Sequence, residues 1–469
     1  MNEPPHIVLV MADDMGYGDV QALNPESRIP TPHLNQLARQ GMTFTDAHTP
    51  SSVCTPTRYA LLTGRYCWRT SLKRGVLNGY GKPLIAPGRE TIAGLLSAAG
   101  YRTGVVGKWH LGLDFSGGPE TIDFRQPVRN GPNQRGFDYS FIIPASLDFP
   151  PYVYIEDGRV TDPETVEQAA QKFPAYLRRG PRSRSRVMED CLDQLAKTAG
   201  QFIDRSAKGE KPFFLYLPLT APHKPVLAHP RFRGKTSLGE YGDFVHQVDD
   251  TVGKIAQALK RNGILNRTLF LYTSDNGSFM RRLKDESEPD HVEDKTIQAY
   301  QAKNHTANGQ FRGTKADIWE AGHHVPFFAA WPGRIEAGSR CEHPICLTDV
   351  FATLAEVTGT PLKRESAPDS FSLLPLMRGG EWSSPRAPVI HHSAAGIFAI
   401  REGDWKLVLG NGSGGRELPR GKPFARPYRL FHLTSDIGET TDVSSRHPEI
   451  VARMEKKCRE IIEKGRSRP

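Results

Sequence analysis

Four oxygen-bearing side chains form two pairs that are far apart in the sequence. Asp13 and Asp14 are adjacent, and Asp275 and Asn276 form the second pair much later in the chain. Each pair directly follows a short apolar run with the composition of a buried strand. Carboxylate and amide oxygens are the hard ligands that Ca²⁺ and Mg²⁺ prefer. Either pair alone would suit a cap of a helix or turn, but together they predict a divalent-cation site.

Two further apolar runs lead into side chains that can move protons or stabilise negative charge. Lys108 and His110 follow the run at 102–106, and His223 follows the run at 212–217. An unperturbed histidine has a pKa of about 6.5 and can act as an acid or a base near neutral pH. A lone histidine is usually structural, but its position after a strand beside the other polar ends favours an active-site role.

These strand ends should meet, because strands and helices alternate along the chain. The predicted strands are 6–11, 102–106, 212–217 and 268–272. The predicted helices are 32–40, 91–99, 187–204, 244–260 and 348–358. Such alternation is typical of an α/β fold with a large, mostly parallel (mixed) sheet sandwiched by helices. In open α/β sheets the ligand crevice lies at the carboxyl ends of the strands, so we expect one shared site there.

The C-terminal part of the chain has a different pattern. Two short strands joined near Gly403 look antiparallel, and apolar residues between Pro448 and Gly465 recur with helical spacing. We therefore predict two domains. Residues 1–380 form the catalytic α/β domain, and residues 381–469 form a smaller α+β subdomain in which the terminal helix packs on an antiparallel sheet.

Composition describes a globular protein that attracts polyanions. The 469 residues are 38% hydrophobic and 24% charged, and the net charge is +9. No zinc-finger spacing or RNA-binding aromatic signature accompanies the charge, so we expect no nucleic-acid partner. No apolar run reaches the roughly 18 residues of a membrane span, and we expect none. The basic run at 178–186 could guide a polyanion, although a solvated loop explains it better. Cys341 and Cys346 could form a disulfide.

The most specific motif is Cys-Thr-Pro-Thr-Arg at 54–58, followed by Thr-Gly-Arg at 63–65. It resembles the Cys-x-Pro-x-Arg signature of type I, formylglycine-dependent sulfatases of the alkaline-phosphatase-like superfamily. Within this family, the sequence most resembles bacterial exo-acting carbohydrate sulfatases. The resemblance implies that a maturation enzyme oxidises Cys54 to Cα-formylglycine, an aldehyde whose hydrate attacks sulfur. A buried structural thiol is the alternative interpretation of Cys54.

The resemblance also implies roles for ten positions. The expected ion is Ca²⁺, with Mg²⁺ less favoured, and its ligands are Asp13, Asp14, Asp275, Asn276 and the modified Cys54. The expected catalytic residues are Cys54, Arg58, Lys108, His110, His223 and Lys315. In the family's mechanism, Cys54 is converted to the nucleophile, and Arg58 holds the hydrate of the modified side chain. The two lysines spread the sulfate's charge, His223 and Lys315 protonate the leaving alcohol, and His110 removes a proton from the second hydroxyl.

One position departs from the family pattern. His324, in the segment 320–326, stands where many relatives have arginine. This substitution leaves the core mechanism intact and puts the local electrostatics in doubt.

The resemblance implies a sulfuric ester hydrolase that acts on a sulfated saccharide. Galactose-6-sulfate or N-acetylgalactosamine-6-sulfate is the expected substrate. An arylsulfatase, a phosphonate monoester hydrolase and a non-catalytic polyanion-binding relative are the alternatives. The expected partners are the substrate and the formylglycine-generating enzyme. Relatives are commonly exported, so we expect a periplasmic or secreted protein whose signal peptide is absent from this chain, and a cytoplasmic location stays open.

Overall fold

The computed structural model describes residues 3–283, 287–290, 298–382 and 386–469. The α-helices in these ranges are α1 Pro32–Gln40, α2 Cys54–Thr63, α3 Ile92–Ala98, α4 Cys191–Ser206, α5 Gly239–Arg261, α6 Glu320–His323, α7 Asp349–Val357, α8 Leu374–Met377 and α9 Pro448–Lys464. The strands are β1 His6–Asp13, β2 Met42–Phe44, β3 Ala47–His48, β4 Arg102–Lys108, β5 Tyr139–Ile143, β6 Ile155–Glu156, β7 Arg159–Val160, β8 Thr165–Gln168, β9 Gly180–Ser183, β10 Phe213–Pro222, β11 Thr268–Ser274, β12 Arg281–Arg282, β13 Ala299–Tyr300, β14 Phe327–Ala330, β15 Ser339–Cys341, β16 Ile345–Cys346, β17 Val389–His392, β18 Phe398–Glu402, β19 Trp405–Leu409 and β20 Arg429–His432.

Within the described residues, ten strands form one sheet in the order β15-β2-β14-β11-β1-β10-β4-β5-β6-β7. Strand β1 pairs in parallel with β10 and with β11, and β10 pairs in parallel with β4. Strand β14 is antiparallel to both of its neighbours, as are β6 and β7 to theirs, so the sheet is mixed. The four predicted strands are thus adjacent and parallel, which places their carboxyl ends at one edge of the sheet.

Helices cover both faces of this sheet. Val8 and Val10 of β1 belong to the core shared with α1, α4 and α5, whereas Ile7 and Leu9 belong to the core shared with α2, α3 and α7. Successive side chains of a strand point to opposite faces, so this division follows from the unbroken apolar run of β1. The predicted fold class is confirmed.

A separate antiparallel sheet, β17-β18-β19-β20, follows near the C-terminus. Met454, Cys458 and Ile461 of α9 are buried in one core with residues of this sheet. Ala399 and Val408 belong to a second core, which also contains Ile318 and Trp319 from the main part of the chain. The small sheet with its terminal helix is therefore as predicted, while the domain boundary near residue 380 stays a prediction.

The structure corrects several sequence expectations. Helix α4 begins at Cys191 rather than 187, after a turn in which the Cys191 amide donates to the Met188 carbonyl at 3.3 Å. Helix α5 begins at Gly239 rather than 244, because its polar first turn carries no apolar periodicity. All six cysteines are free, and Cys341 and Cys346 lie in strands of different sheets.

None of the described helices combines the length and the hydrophobicity that crossing a bilayer requires.

Candidate active site

The edge formed by the strand ends carries the predicted cation ligands. Asp13 is the last residue of β1, and Asp275 and Asn276 directly follow β11. The Asp14 amide donates to Asp275 Oδ1 at 3.2 Å, and Asn276 Nδ2 donates to Asp14 Oδ1 at 2.7 Å. All four residues are at most 1% exposed. The two pairs therefore form one buried cluster.

Cys54, the first residue of α2, lies against this cluster. Its Sγ is 3.7 Å from Asp13 Oδ1 and 3.6 Å from Lys315 Nζ. Burial, and then the negative charge of Asp275, raise the pKa of the Cys54 thiol to about 12. The thiol is thus protonated near neutral pH, and because the thiolate is the reactive form, an unmodified cysteine is a poor nucleophile here.

Two buried cations neutralise carboxylates of the site. Arg58 donates from Nε and Nη2 to Asp275 Oδ2 at 2.9 and 2.6 Å, and from Nη1 to the Lys108 carbonyl at 3.2 Å. Lys108 Nζ donates to Asp13 Oδ2 at 2.7 Å. All four side chains are 0% exposed. Burial, opposed by Arg58, raises the pKa of the Asp275 carboxyl. Buried charges of this kind are tolerated only when they are paired.

The site fits a divalent cation with hard ligands. Asn276 Oδ1 is buried and has no hydrogen-bond partner, although its Nδ2 is bonded. Ligand atoms of Asp13, Asp14, Cys54 and His223 lie within 4.8 Å of one another. Burial raises the pKa of the Asp14 carboxyl, but the charge and hydrogen bond of Lys315 together with the other neighbouring basic groups outweigh it, so the pKa is lowered and this ligand is ionised. Carboxylates with an amide oxygen favour Ca²⁺ or Mg²⁺ over softer metals.

His110 presents a free ring nitrogen at this edge. Its Nε2 lies 2.6 Å from the Leu77 carbonyl, which can only accept, so Nε2 carries the proton. Its Nδ1 is buried without a partner. Burial, followed by the charges of Lys108 and Arg58, holds the pKa of His110 well below its usual value. The ring is therefore neutral and its Nδ1 lone pair can accept a proton.

His223 directly follows β10, the strand that lies between β1 and β4. Its Nε2 is 3.6 Å from Asp14 Oδ2, and its Nδ1 contacts the carbonyl of Lys224. Burial and then the charge of Lys315 lower the pKa of His223 to about 3. The ring is therefore neutral in the resting site, and a negative charge bound beside it would raise its pKa and favour its protonation.

The backbone at the site is strained. Asp14 has φ of 66° and His110 has φ of 56°, both in the left-handed region that residues with a Cβ rarely adopt. Such conformations cost about 1–3 kcal/mol each and persist where the surroundings impose them, often at functional sites.

All ten predicted site residues meet at this edge, and the structure adds neighbours that the motifs did not reveal. Asp148 Oδ1 lies 4.0 Å from His223 Nδ1 and is buried without a hydrogen bond. Lys224 Nζ lies 4.7 Å from the centre of the Tyr176 ring. Asp148 and Tyr176 belong to an irregular stretch rich in proline and aromatics, and no sequence signal placed them near the site. Lys224 could have been predicted to lie there, because it directly follows His223.

The basic run at 178–186 is largely engaged in contacts. Arg178 contacts Asp148 and stacks on Phe149 at 4.0 Å. Arg186 is 4% exposed and stacks on Tyr154 at 4.1 Å. These arginines hold the irregular stretch in place, and they do not form a free cationic track for a polyanion.

A second buried polar cluster lies behind the segment that leads to Cys54, and the sequence analysis missed it. Lys406 Nζ is 3.0 Å from Glu320 Oε1, 2.8 Å from Glu439 Oε1 and 3.1 Å from His323 Nε2. The amide of Thr49, five residues before Cys54, donates to the His323 carbonyl at 2.7 Å. The cluster therefore ties the small sheet to the segment that leads to Cys54.

His324, the departure from the family pattern, belongs to the edge of this second cluster. Its ring stacks on Phe311 at 4.0 Å, and its Nδ1 lies 3.1 Å from Glu320 Oε2. Its Nε2 lies 2.8 Å from the Thr45 carbonyl. These contacts of the ring pack it against Phe311 and bind the Glu320 carboxylate.

Comparisons with known proteins agree with this geometry. The sulfatase family matches residues 5–360 of the chain. An N-acetylgalactosamine-6-O-sulfatase of Bacteroides thetaiotaomicron is 32% identical, with 100% of this chain and 94% of the relative aligned. Human arylsulfatase A is 32% identical over 86% of this chain and 74% of its own length.

Solved structures give the same result. A structure from work on the metabolism of multiple glycosaminoglycans by Bacteroides thetaiotaomicron superposes with a TM-score of 0.85 at 31% identity, covering 98% of this chain and 99% of that one. A family match over most of the chain and relatives of this similarity, together with the buried cluster at Cys54, establish that the chain belongs to the sulfatase family and is a sulfuric ester hydrolase.

Proposed function

We propose that the enzyme removes the 6-sulfate of N-acetylgalactosamine, or of galactose, in a sulfated saccharide. The observation that carries the proposal is the position of Cys54, whose Sγ lies 3.7 Å from Asp13 Oδ1 and 3.6 Å from Lys315 Nζ. The similarity to an N-acetylgalactosamine-6-O-sulfatase along the whole chain supports the choice of sugar.

The proposal includes conversion of Cys54 to formylglycine by a maturation enzyme and a Ca²⁺ ion held by Asp13, Asp14, Asp275 and Asn276. The aldehyde hydrate supplies the nucleophile, and the cation stabilises negative charge. The raised pKa of the thiol supports this, because the unmodified side chain cannot readily supply a nucleophile.

The remaining residues of the site bind the sulfate and move protons. Lys108 and Lys315 place two ammonium groups beside residue 54, where they stabilise the oxygens of the sulfate in the transition state. His110 accepts a proton at Nδ1, which is buried and has no other partner. His223 and Lys315 both lie beside the negative charge of the bound ester, and His223, once protonated, donates a proton to the departing alcohol oxygen.

Two measurements test the proposal. Mass spectrometry of the peptide that contains Cys54 should find sulfur replaced by oxygen when the protein is made with the maturation enzyme. Matured protein should then hydrolyse N-acetylgalactosamine-6-sulfate or galactose-6-sulfate with a higher kcat/KM than 2-, 3- or 4-sulfated isomers. Equal rates on all isomers would contradict the choice of substrate.

An arylsulfatase is the second candidate, because human arylsulfatase A aligns with 86% of this chain at 32% identity. A higher kcat/KM for aryl sulfate than for every sugar sulfate would favour it. We also propose that the enzyme acts in the periplasm or outside the cell, where sulfated polysaccharide is encountered, and cell fractionation checks this.

A further inference from the structure

A cavity of about 840 Å³ opens beside the catalytic lysine. Thr314, the neighbour of Lys315, contributes to the wall of this cavity. We refer to the cavity as the arginine cavity. The arginines in the wall are Arg281, Arg282, Arg312, Arg416 and Arg420. So many guanidinium groups around one space create a positive potential next to the proposed sulfate site.

The acidic residues of the wall are already engaged. Glu417 forms a 2.5 Å ion pair with Arg312. Asp317 accepts the backbone amides of Arg416 and Glu417 at 2.5 and 2.9 Å. Glu439 lies 2.8 Å from Lys406 in the second buried cluster. Among the described residues these carboxylates therefore leave Arg416 without an ion pair.

Arg416 lies in the wall of the cavity. Its Nη1 donates to the carbonyl of Phe279 at 3.3 Å, and its own carbonyl accepts from Arg281 Nη2 at 3.3 Å. Its guanidinium interacts electrostatically with Asp14 and Cys54 of the active site. Burial lowers the pKa of Arg416, although the negative charges of Asp14 and Asp317 oppose this effect, and repulsion from Arg281 adds to it.

Lys224, a second cation near Arg416, likewise lacks an ion pair among the described residues. Its ammonium contacts the Tyr176 ring. Burial, followed by repulsion from Arg416 and Lys315, lowers the pKa of Lys224 to about 8. Both side chains are half-buried, and a bound anion would offset the mutual repulsion of these cations.

We propose that the arginine cavity binds a second anionic group of the substrate while the ester sulfate lies at Cys54. The group is a carboxylate or a second sulfate on the neighbouring saccharide unit, and Arg416 is its main ligand. The proposal deepens the proposed function and rests on it. Planar guanidinium groups suit it, because they bind carboxylate and sulfate oxygens with two hydrogen bonds.

The test uses matured enzyme and three 6-sulfated disaccharides that differ only in the neighbouring unit, which is neutral, carries a carboxylate or carries a second sulfate. The wild-type kcat/KM should be at least tenfold higher for one of the charged disaccharides than for the neutral one. Which of the two is preferred identifies the anionic group. In Arg416→Met this preference should be lost, so that the charged and neutral disaccharides have similar kcat/KM, and in Arg416→Lys only part of it should be lost.

The control is Arg233→Met, which removes an exposed arginine outside the cavity wall. It should keep the wild-type preference within twofold. A wild-type enzyme that does not distinguish the neutral disaccharide from the charged ones, or an Arg416→Met variant that keeps the full preference, would overturn the proposal.

Calorimetry with Cys54→Ala protein separates this proposal from the proposed function. Tighter binding of a charged disaccharide that is lost in the Cys54→Ala, Arg416→Met double variant supports the cavity, even if matured enzyme hydrolyses no sugar sulfate. Equal affinities for the three disaccharides overturn it, even if matured enzyme is an active sugar sulfatase.

Discussion

Replacing Lys108 by methionine tests the charge balance of the active site. Asp13 Oδ2 would lose its partner at 2.7 Å, while Arg58 would stay near this carboxylate, with Nη2 3.7 Å from Oδ1. Both carboxylate and ammonium are 0% exposed. Removing one partner of a buried ion pair costs about 3–5 kcal/mol of unfolding free energy. We expect Lys108→Met to lose that amount in the presence of a chelator.

The same variant should bind a divalent cation more tightly. The site pairs three carboxylates with Arg58, Lys108 and Lys315, so the variant carries one excess negative charge. At an effective dielectric constant of about 20, two unit charges about 4 Å apart interact by about 4 kcal/mol. A tenfold lower Kd for Ca²⁺ is therefore a conservative expectation. Activity should fall by about 10²- to 10³-fold in kcat, because a cation beside the sulfate is lost.

Thermal and denaturant unfolding with and without Ca²⁺ measure both effects. The control is Lys82→Met, whose ammonium is 80% exposed and pairs with Asp114 at 3.4 Å. This control should change stability by less than about 1 kcal/mol and should not alter the response to Ca²⁺. The reasoning is refuted if Lys108→Met unfolds like the wild type in chelator, or if Ca²⁺ stabilises the two proteins equally.

Three further predictions concern other parts of the molecule. Burial raises the pKa of Glu439 from 4.5 to about 7. Because the folded state holds this proton more tightly than the unfolded state, the wild type should lose roughly 3 kcal/mol of unfolding free energy as the pH rises from about 4.5 to about 7. Urea unfolding of Glu439→Gln over the same pH range should lack this loss. Without maturation, Cys54 should react with iodoacetamide at pH 8 at least 100-fold more slowly in the folded protein than after unfolding, as mass spectrometry would measure, because it is 2% exposed and the pKa of its thiol is raised to about 12; comparable rates would contradict the described burial. Met454→Ala should destabilise the protein by about 2–5 kcal/mol in thermal or denaturant unfolding, because Met454 is 0% exposed in the core under α9, whereas Lys456→Ala on the exposed face should change stability by less than about 1 kcal/mol.

Much of the fold could be predicted because its signals are local. The apolar run of β1 and the spacing of apolar residues in α9 each specify an element and its buried face. The starts of α4 and α5 were misplaced, because their first turns are polar or preceded by a turn and carry no periodic signal. The polar segment 278–310 carries no clear apolar period, and part of it lies outside the described residues.

The sequence by itself determined the residue types of the active site and the edge of the sheet where they meet. The Cys-x-Pro-x-Arg motif and the strand ends are short-range features, and parallel strand order brings such ends together. Only the tertiary structure decided how they interact. Cys54 and Lys315 are 261 positions apart in the chain, yet their side chains are 3.6 Å apart. The raised pKa of the thiol, the Lys406 cluster and the position of Arg416 near Asp14 likewise depend on burial and on contacts between distant segments, which no local pattern contains.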